Sequence, residues 1–277
     1  PEEAQRIDVS GKTVMPGMID CHTHISLTTM SIEKSLFTPR VVAVFETAAM
    51  LKKTLHAGFT TIREAGLLND AGYREAVERG LVEGPRLVLA GGLGQTGGHF
   101  DETYPSGIQV PIYAAEICDG VPEVQKAARR ILRKGFDFIK ICTTGGVASP
   151  ATSPDYTEWT MDELRAIVYE AAARGKGVMA HAEGTRGIKN ALRAGVWSVE
   201  HGTMLDDEAI GMFLDTGAYL VPTLFVTEEI LARGEEMGLA PAYLEKMEGI
   251  KAAHAVSFRR AAQAGVKIAV GTDALDR

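Results

Sequence analysis

Short apolar runs of strand length alternate along this chain with longer stretches in which apolar residues recur three and four positions apart. That alternation predicts repeated βα units, because a parallel strand covered on both faces reads as a continuous apolar run and its crossover helix shows a 3.6-residue period. Eight runs fit strands: MIDCHTH (18–24), TTIREAG (60–66), RLVLAGG (86–92), FIKICTT (138–144), VMAHAEG (178–184), SVEHGT (198–203), YLVPTL (219–224) and IAVGTDA (268–274). Between them, PEVQKAARRILRKG (122–135) and MDELRAIVYEAAARG (161–175) have helical spacing and close on Gly135 and Gly175, where a left-handed cap belongs. Gly follows a helix in the same way in AGF (57–59), RGL (79–81) and AGV (194–196 and 264–266). The expected fold is therefore α/β, a (β/α)8 TIM barrel over residues 16–277, with its chemistry at the carboxyl ends of the strands.

The two ends of the pattern are irregular. RIDVSGKTVMPG (6–17) is expected to be the last strand of a separate small β unit, so residues 1–15 are set apart from the barrel. No helical stretch follows the eighth run, so the C-terminal part of the barrel is expected to lie outside this sequence.

Composition narrows the function classes. A length of 277 residues, 45% of them hydrophobic, suits a single α/β barrel better than two average domains. Net charge is −7 and the basic residues are dispersed, RRILRK (129–134) reading as a solvated helix face, so nucleic acid is not an expected partner. No apolar run approaches the roughly 20 residues that cross a bilayer, and PEEAQRIDVSG lacks the regions of a secretion signal, so no membrane association is expected. Three cysteines, Cys21, Cys118 and Cys142, with no C-x-x-C pair indicate neither a disulfide framework nor a zinc knuckle. The cytoplasm is the expected compartment, with export left open because the beginning of the full chain is not in view.

The polar residues that interrupt the strand ends carry the candidate chemistry. In DCHTH, alternation points His22 and His24 to one side, within reach of one ion. H-x-H alone also fits two histidines satisfied by hydrogen bonds. Here, however, His181, His201 and Asp273 end three further strands, so four imidazoles and a carboxylate converge on one rim. Lys140, in FIKIC, would be desolvated on an inward strand and repelled by divalent ions. Either it snorkels to the rim, or its neutral amine takes up carbon dioxide to give a carbamate that bridges two ions. Two bridged divalent cations would acidify a shared water and polarise a carbonyl. Asp273 would then act as ligand and general base, passing a proton to a leaving amine.

The order H-x-H, Lys, His, His, Asp on successive strands resembles the amidohydrolase superfamily, specifically its binuclear, carboxylated-lysine type. GKTVMPGMIDCHTH (11–24) is similar to that superfamily's entry into the barrel from a small β-sandwich domain built by both termini, which implies that residues 1–15 are the remnant of such a domain. QTGGH, IKICTTGGVASP, VEHGT and VPTL resemble the branch of Xaa-Pro dipeptidases and arginine or lysine carboxypeptidases, often called imidazolonepropionase-like. The resemblance implies one ion on His22, His24, Lys140 and Asp273 and a second on Lys140, His181 and His201, with zinc the expected metal and N6-carboxylated Lys140 the bridge. It implies a small-molecule substrate, a dipeptide or N-acyl amino acid cleaved at its C–N amide bond, and a homo-oligomeric assembly.

His99, in a glycine-rich loop after the third strand, either stabilises the oxyanion of that reaction or is a solvated loop residue. Gly145 and Gly146 either offer amides to a substrate carboxylate or form a tight loop. Glu183 either favours a cationic substrate side chain or supports a ligand histidine. Dipeptidase-like relatives commonly place an aromatic or another histidine near the position of Glu183, a departure that leaves the amino-acid preference open. His56 and His254, in helical segments remote from any strand end, and Trp159 and Trp197, at packing positions, are read as structural. Loops 25–45, 93–118, 145–160 and 225–245 would shape the pocket. Rival readings are an imidazolonepropionase-like cyclic amide hydrolase, a deaminase or a lactonase on the same barrel, and a scaffold without catalysis. A deaminase would lack the strand-four lysine and carry H-x-x-E after strand five, whereas Glu183 follows His181 by two positions.

Overall fold

The apolar runs form strands and the periodic stretches form helices in a computed structural model that describes residues 4–27, 29, 31–67, 71–102, 115–147 and 152–274. In chain order the described elements are β1 (Met18–Thr23), α1 (Ile32–Phe37), α2 (Arg40–His56), β2 (Phe59–Glu64), α3 (Gly72–Glu78), β3 (Arg86–Gly94), β4 (Glu116–Ile117), α4 (Val121–Arg133), β5 (Phe138–Cys142), α5 (Met161–Ala172), β6 (Gly177–Ala182), α6 (Thr185–Ala194), β7 (Ser198–His201), α7 (Asp207–Thr216), β8 (Tyr219–Val221), α8 (Leu224–Arg233) and α9 (Pro241–Ala264). Parts of three expected pocket loops, residues 28 and 30, 103–114 and 148–151, lie outside the described set, the end of the TGGVAS stretch among them.

Among the described residues every pairing between strands is parallel, in the order β1-β2-β3-β5-β6-β7-β8, with the two-residue β4 added beside β3. The eighth expected strand, 268–274, forms no extended ladder. It nevertheless closes the sheet: Leu220 donates to the Lys267 carbonyl at 2.8 Å, Cys21 to Val270 at 2.8 Å and Asp273 to His22 at 2.8 Å. The barrel is thus joined between β8 and β1 by a segment with a single bridge, Leu220 to Ile268. Residues 4–17, expected to contain a strand, have none.

Helices cover the outside because their apolar stripes match the outward strand residues. On α4 the buried positions are Val124, Ala127, Ala128 and Ile131, spaced three and four apart. They pack with Leu89, Ile139 and Ile141 in the main core, where truncating a fully buried Ile or Leu costs roughly 2–5 kcal/mol. The start of α5 is fixed by a capping box: the Thr160 amide donates to Glu163 at 2.8 Å and the Glu163 amide donates back to the Thr160 hydroxyl. Gly195 and Gly265 end α6 and α9 at φ of 91° and 85°, the left-handed conformation expected of them. Inside the barrel a small cluster of Ala65, Ala90 and Met179 fills the middle and leaves the carboxyl ends to polar residues. No helix of the described residues is long and apolar enough to cross a membrane.

Candidate active site

Strand alternation delivers most of the polar residues to one mouth. On β5, Ile139 and Ile141 face the helices and Lys140 faces inward, only 3% exposed, so it does not snorkel to the rim. Gly66, at φ 101°, passes so close that a Cβ there would lie 2.6 Å from Cβ of Lys140. On β6, His181 follows Met179 onto the inner face, and His22 and His24 follow Asp20 along and just beyond β1. His201 breaks the rule: its φ of 70° ends β7, so that it and the preceding Glu200 both reach His22. Three of the four non-glycine residues with positive φ among those described, His201, Thr223 and Asp273, lie at this mouth. Backbone strain concentrated in this way is a mark of functional sites.

Five imidazoles stand in a row. Ring centroids are 5.3 Å apart for His24 and His22, 5.2 Å for His22 and His201, 4.5 Å for His201 and His181, and 4.6 Å for His181 and His99. The last pair is stacked, with an interplanar angle of 12°. Asp273 faces the first pair, its Oδ1 lying 3.4 Å from Nε2 of His24 and 3.7 Å from Nε2 of His22. These three residues offer ligand atoms within 4.8 Å of one another.

Several ring nitrogens are oriented by groups beyond the row. Nδ1 of His22 lies 2.7 Å from Glu200, and Nδ1 of His201 lies 2.7 Å from the Thr223 hydroxyl. Each contact turns the opposite nitrogen toward the mouth. Nδ1 of His24 is buried without a hydrogen bond and lies 3.8 Å from Glu64. Neutral nitrogens, a carboxylate and one orphaned buried nitrogen form a donor set that suits a divalent transition metal.

Electrostatics agree with that chemistry. Burial first, and then neighbouring imidazoles and the charge of Lys140, hold His181 far below the ordinary histidine range; burial and Lys140 or His22 do the same to His22 and His201. His99 is pushed down to about 4, again by burial and then by Lys140. Rings kept neutral in this way present lone pairs to a cation rather than protons. Burial raises Glu183 to about 7, against backbone and Thr203 hydrogen bonds that lower it, and its Oε1 is 3.7 Å from Nε2 of His181.

Two expectations change. The amides of Gly145 and Gly146 donate inside their own loop, to the Tyr156 carbonyl at 3.1 Å and the Thr152 hydroxyl at 3.3 Å, which is the tight-loop alternative. Lack of a side chain at Gly146 instead makes room for two rings: a Cβ there would lie 2.6 Å from Cε1 of His99 and 3.1 Å from Cε1 of His181. His254 is not remote from the strand ends, because Nε2 lies 3.2 Å from the His201 carbonyl and Nδ1 3.3 Å from Thr227. It props the residue whose backbone is left-handed.

Sequence reasoning also passed over Glu200, Arg63 and Asp20. Arg63 places Nη2 2.9 Å from both Glu200 oxygens and donates from Nε to the Cys21 carbonyl at 2.6 Å. Fully buried Asp20 accepts the Thr272 amide at 3.0 Å, the Thr272 hydroxyl at 2.6 Å and the His22 amide at 3.1 Å. The available signal was alternation itself, which puts Asp20 on the face of His22 and His24, together with the oddity of charged residues inside apolar strands.

Comparison with known proteins follows the same lines. The model of the amidohydrolase family matches residues 13–276. A prolidase crystallised with N-methylphosphonate-L-proline is similar over 99% of this chain and 69% of its own, with 39% identity and a TM-score of 0.92. An Xaa-Pro dipeptidase with bound methionine is similar over 95% of this chain and 67% of its own, with 34% identity and a TM-score of 0.83. The ochratoxinase of Aspergillus niger is 32% identical over 94% of this chain, which spans 58% of that protein's length.

Proposed function

The chain belongs to the amidohydrolase family, and we propose that it hydrolyses the C–N amide bond of a dipeptide or N-acyl amino acid with a free C-terminal carboxylate, in the manner of an Xaa-Pro or Xaa-Arg/Lys dipeptidase. The observation that carries this reading is the row of His24, His22, His201 and His181 beside Asp273, with a buried lysine among them. Similarity to a prolidase and to an Xaa-Pro dipeptidase supports the choice of bond.

In this reading His22, His24, Lys140 and Asp273 would hold one divalent ion and Lys140, His181 and His201 a second, with zinc the expected metal. Lys140 serves as its N6-carbamate. As an ammonium it disfavours charge on His22, His181 and His201; loss of its proton and addition of carbon dioxide to the freed amine, with release of a second proton, would replace that cation by an anion able to ligate divalent ions. When bound, such ions supply Lewis acidity and lower the pKa of a water. Asp273 takes the proton of the attacking water and delivers it to the leaving nitrogen. His99, neutral at physiological pH, donates a hydrogen bond to the substrate carbonyl oxygen as negative charge develops there. Glu183, buried against His181, acts on that imidazole.

The test is a screen of L-Xaa-L-Pro, L-Xaa-L-Arg and L-Xaa-L-Lys dipeptides and N-acyl amino acids with the whole, zinc-loaded protein. Because an ochratoxinase is 32% identical over nearly the whole chain, ochratoxin belongs in the same screen. Release of a free amino acid from any of these supports amide hydrolysis. Turnover of lactones alone, with every amide intact, overturns it.

A further inference from the structure

Beneath the loop that carries His99 lies a carboxyl group without an assigned role. Glu158 is 3% exposed, and its Oε1 accepts the His99 amide at 2.6 Å. Its Oε2 is buried and makes no hydrogen bond. The carboxyl is pressed against the loop backbone, since a Cβ on Gly98 would lie 2.5 Å from that oxygen.

The neighbouring residue completes a clasp. Trp159 is held at φ 65°, which aims its amide at the Gln95 side chain, 2.5 Å away, and its indole Nε1 at the Cys142 carbonyl, 2.9 Å away. The Glu158 amide donates to the Thr143 carbonyl at 3.0 Å. Two of these four bonds anchor the dipeptide to the end of β5, the strand of Lys140. The other two grip the loop on both sides of its glycines. The loop carries His99 onto the His181 ring, with ring centroids 4.6 Å apart, and the missing side chain at Gly146 leaves room for it.

We propose that Glu158 is a positioning residue for the reaction: by accepting the His99 amide and supporting the backbone at Gly98, it sets the height and tilt of the His99 imidazole and hence its reach to the substrate carbonyl. The inference rests on the reading that His99 acts on the substrate. Its electrostatics are consistent with a support rather than an ion-pair partner, because burial raises Glu158 to about 8 and keeps it uncharged at neutral pH. Glutamine therefore mimics the form that is present, and alanine removes it.

The test uses the whole, metal-loaded protein and the best dipeptide from the screen, with Glu158→Ala, Glu158→Gln, His99→Ala and the double variant Glu158→Ala/His99→Ala. His99→Ala is expected to lower kcat about 100-fold, the usual loss for one oxyanion donor. Glu158→Ala is expected to lower kcat about 10-fold with KM little changed, as a donor displaced by a fraction of an ångström loses rate rather than binding. Glu158→Gln should restore most of that loss, and the double variant should be no slower than His99→Ala. Full additivity in the double variant, equal damage by glutamine and alanine, or an unchanged kcat in Glu158→Ala each overturns the proposal. Near-normal turnover in His99→Ala overturns the underlying reading instead, and the inference with it. A second readout needs no turnover: the His99 Hε1 resonance, displaced by stacking on His181, should move toward that of a free imidazole in Glu158→Ala and stay in place in Glu158→Gln. An unmoved resonance in Glu158→Ala excludes positioning.

Discussion

Glu200 lies 2.7 Å from Nδ1 of His22 across 178 residues of chain, and it is the group that decides which nitrogen of His22 faces Asp273. As an acceptor it holds the proton on Nδ1, leaving the Nε2 lone pair for the mouth. Arg63 and the Ser198 hydroxyl, 2.9 and 2.5 Å away, donate to that carboxylate and fix its orientation. Glu200→Gln leaves an acceptor but strands the Arg63 charge, which is only 12% exposed. Metal affinity should fall about 10–100-fold, and the melting temperature should drop in the metal-free protein as well. Competition against a chromophoric zinc chelator measures the first effect. Unchanged affinity would show that Glu200 is only the partner of Arg63.

Lys140 is expected to link metal content to activity. Lys140→Ala should lower bound zinc from two ions per chain to one or fewer and abolish turnover together. Carbon-13 NMR after exchange with labelled bicarbonate should show a carbamate signal in the parent protein that the variant lacks. Two retained ions with near-normal turnover would remove the lysine from the chemistry.

The barrel and its rim were legible because two simple periods govern them. Seven of the apolar runs became strands; alternation delivered His22, His24 and His181 to the rim, and left-handed turns at His201 and Asp273 brought those two to it. What escaped were charged residues whose partners are distant in sequence. Nothing local in TTIREAG or SVEHGT tells that Arg63 and Glu200 meet, since a strand pattern gives the face of a residue but not its neighbour across the barrel. The left-handed turns at His201 and Trp159 were equally hidden, because positive φ is rare outside glycine and nothing local in either stretch demands it. The closing segment 268–273 was recognisable as apolar, yet it is held by separate backbone bonds and by side chains instead of a ladder.

Asp20 and Thr272 test that last point. The Thr272 hydroxyl and amide both bond to the buried Asp20 carboxylate, one residue before Asp273. Thr272→Val keeps the shape and removes the hydroxyl, so stability should fall by about 1.5–3 kcal/mol, the range for a hydrogen bond to a charged group. Urea denaturation of the metal-free protein measures it. If only backbone bonds closed the barrel, the midpoint would not move.

Glu158 provides a prediction on pH. Its carboxyl titrates at about 8 in the folded protein, against an ordinary 4.5, because burial penalises the charged form. Between those values the unfolded chain has released this proton and the folded chain retains it. Raising the pH therefore favours unfolding across that window, by roughly 1 kcal/mol per pH unit from this group alone. Below about 4.5 both states are protonated and above about 8 both are ionised, so the contribution flattens at each end. Glu158→Gln cannot ionise and should lose this slope. The difference in unfolding free energy between parent and variant should thus grow in favour of the variant from pH 5 to pH 8 and then level off. Parallel stability profiles across that range would mean that Glu158 is solvated or paired in the folded protein, and that its carboxyl does not lie dry beneath the His99 loop.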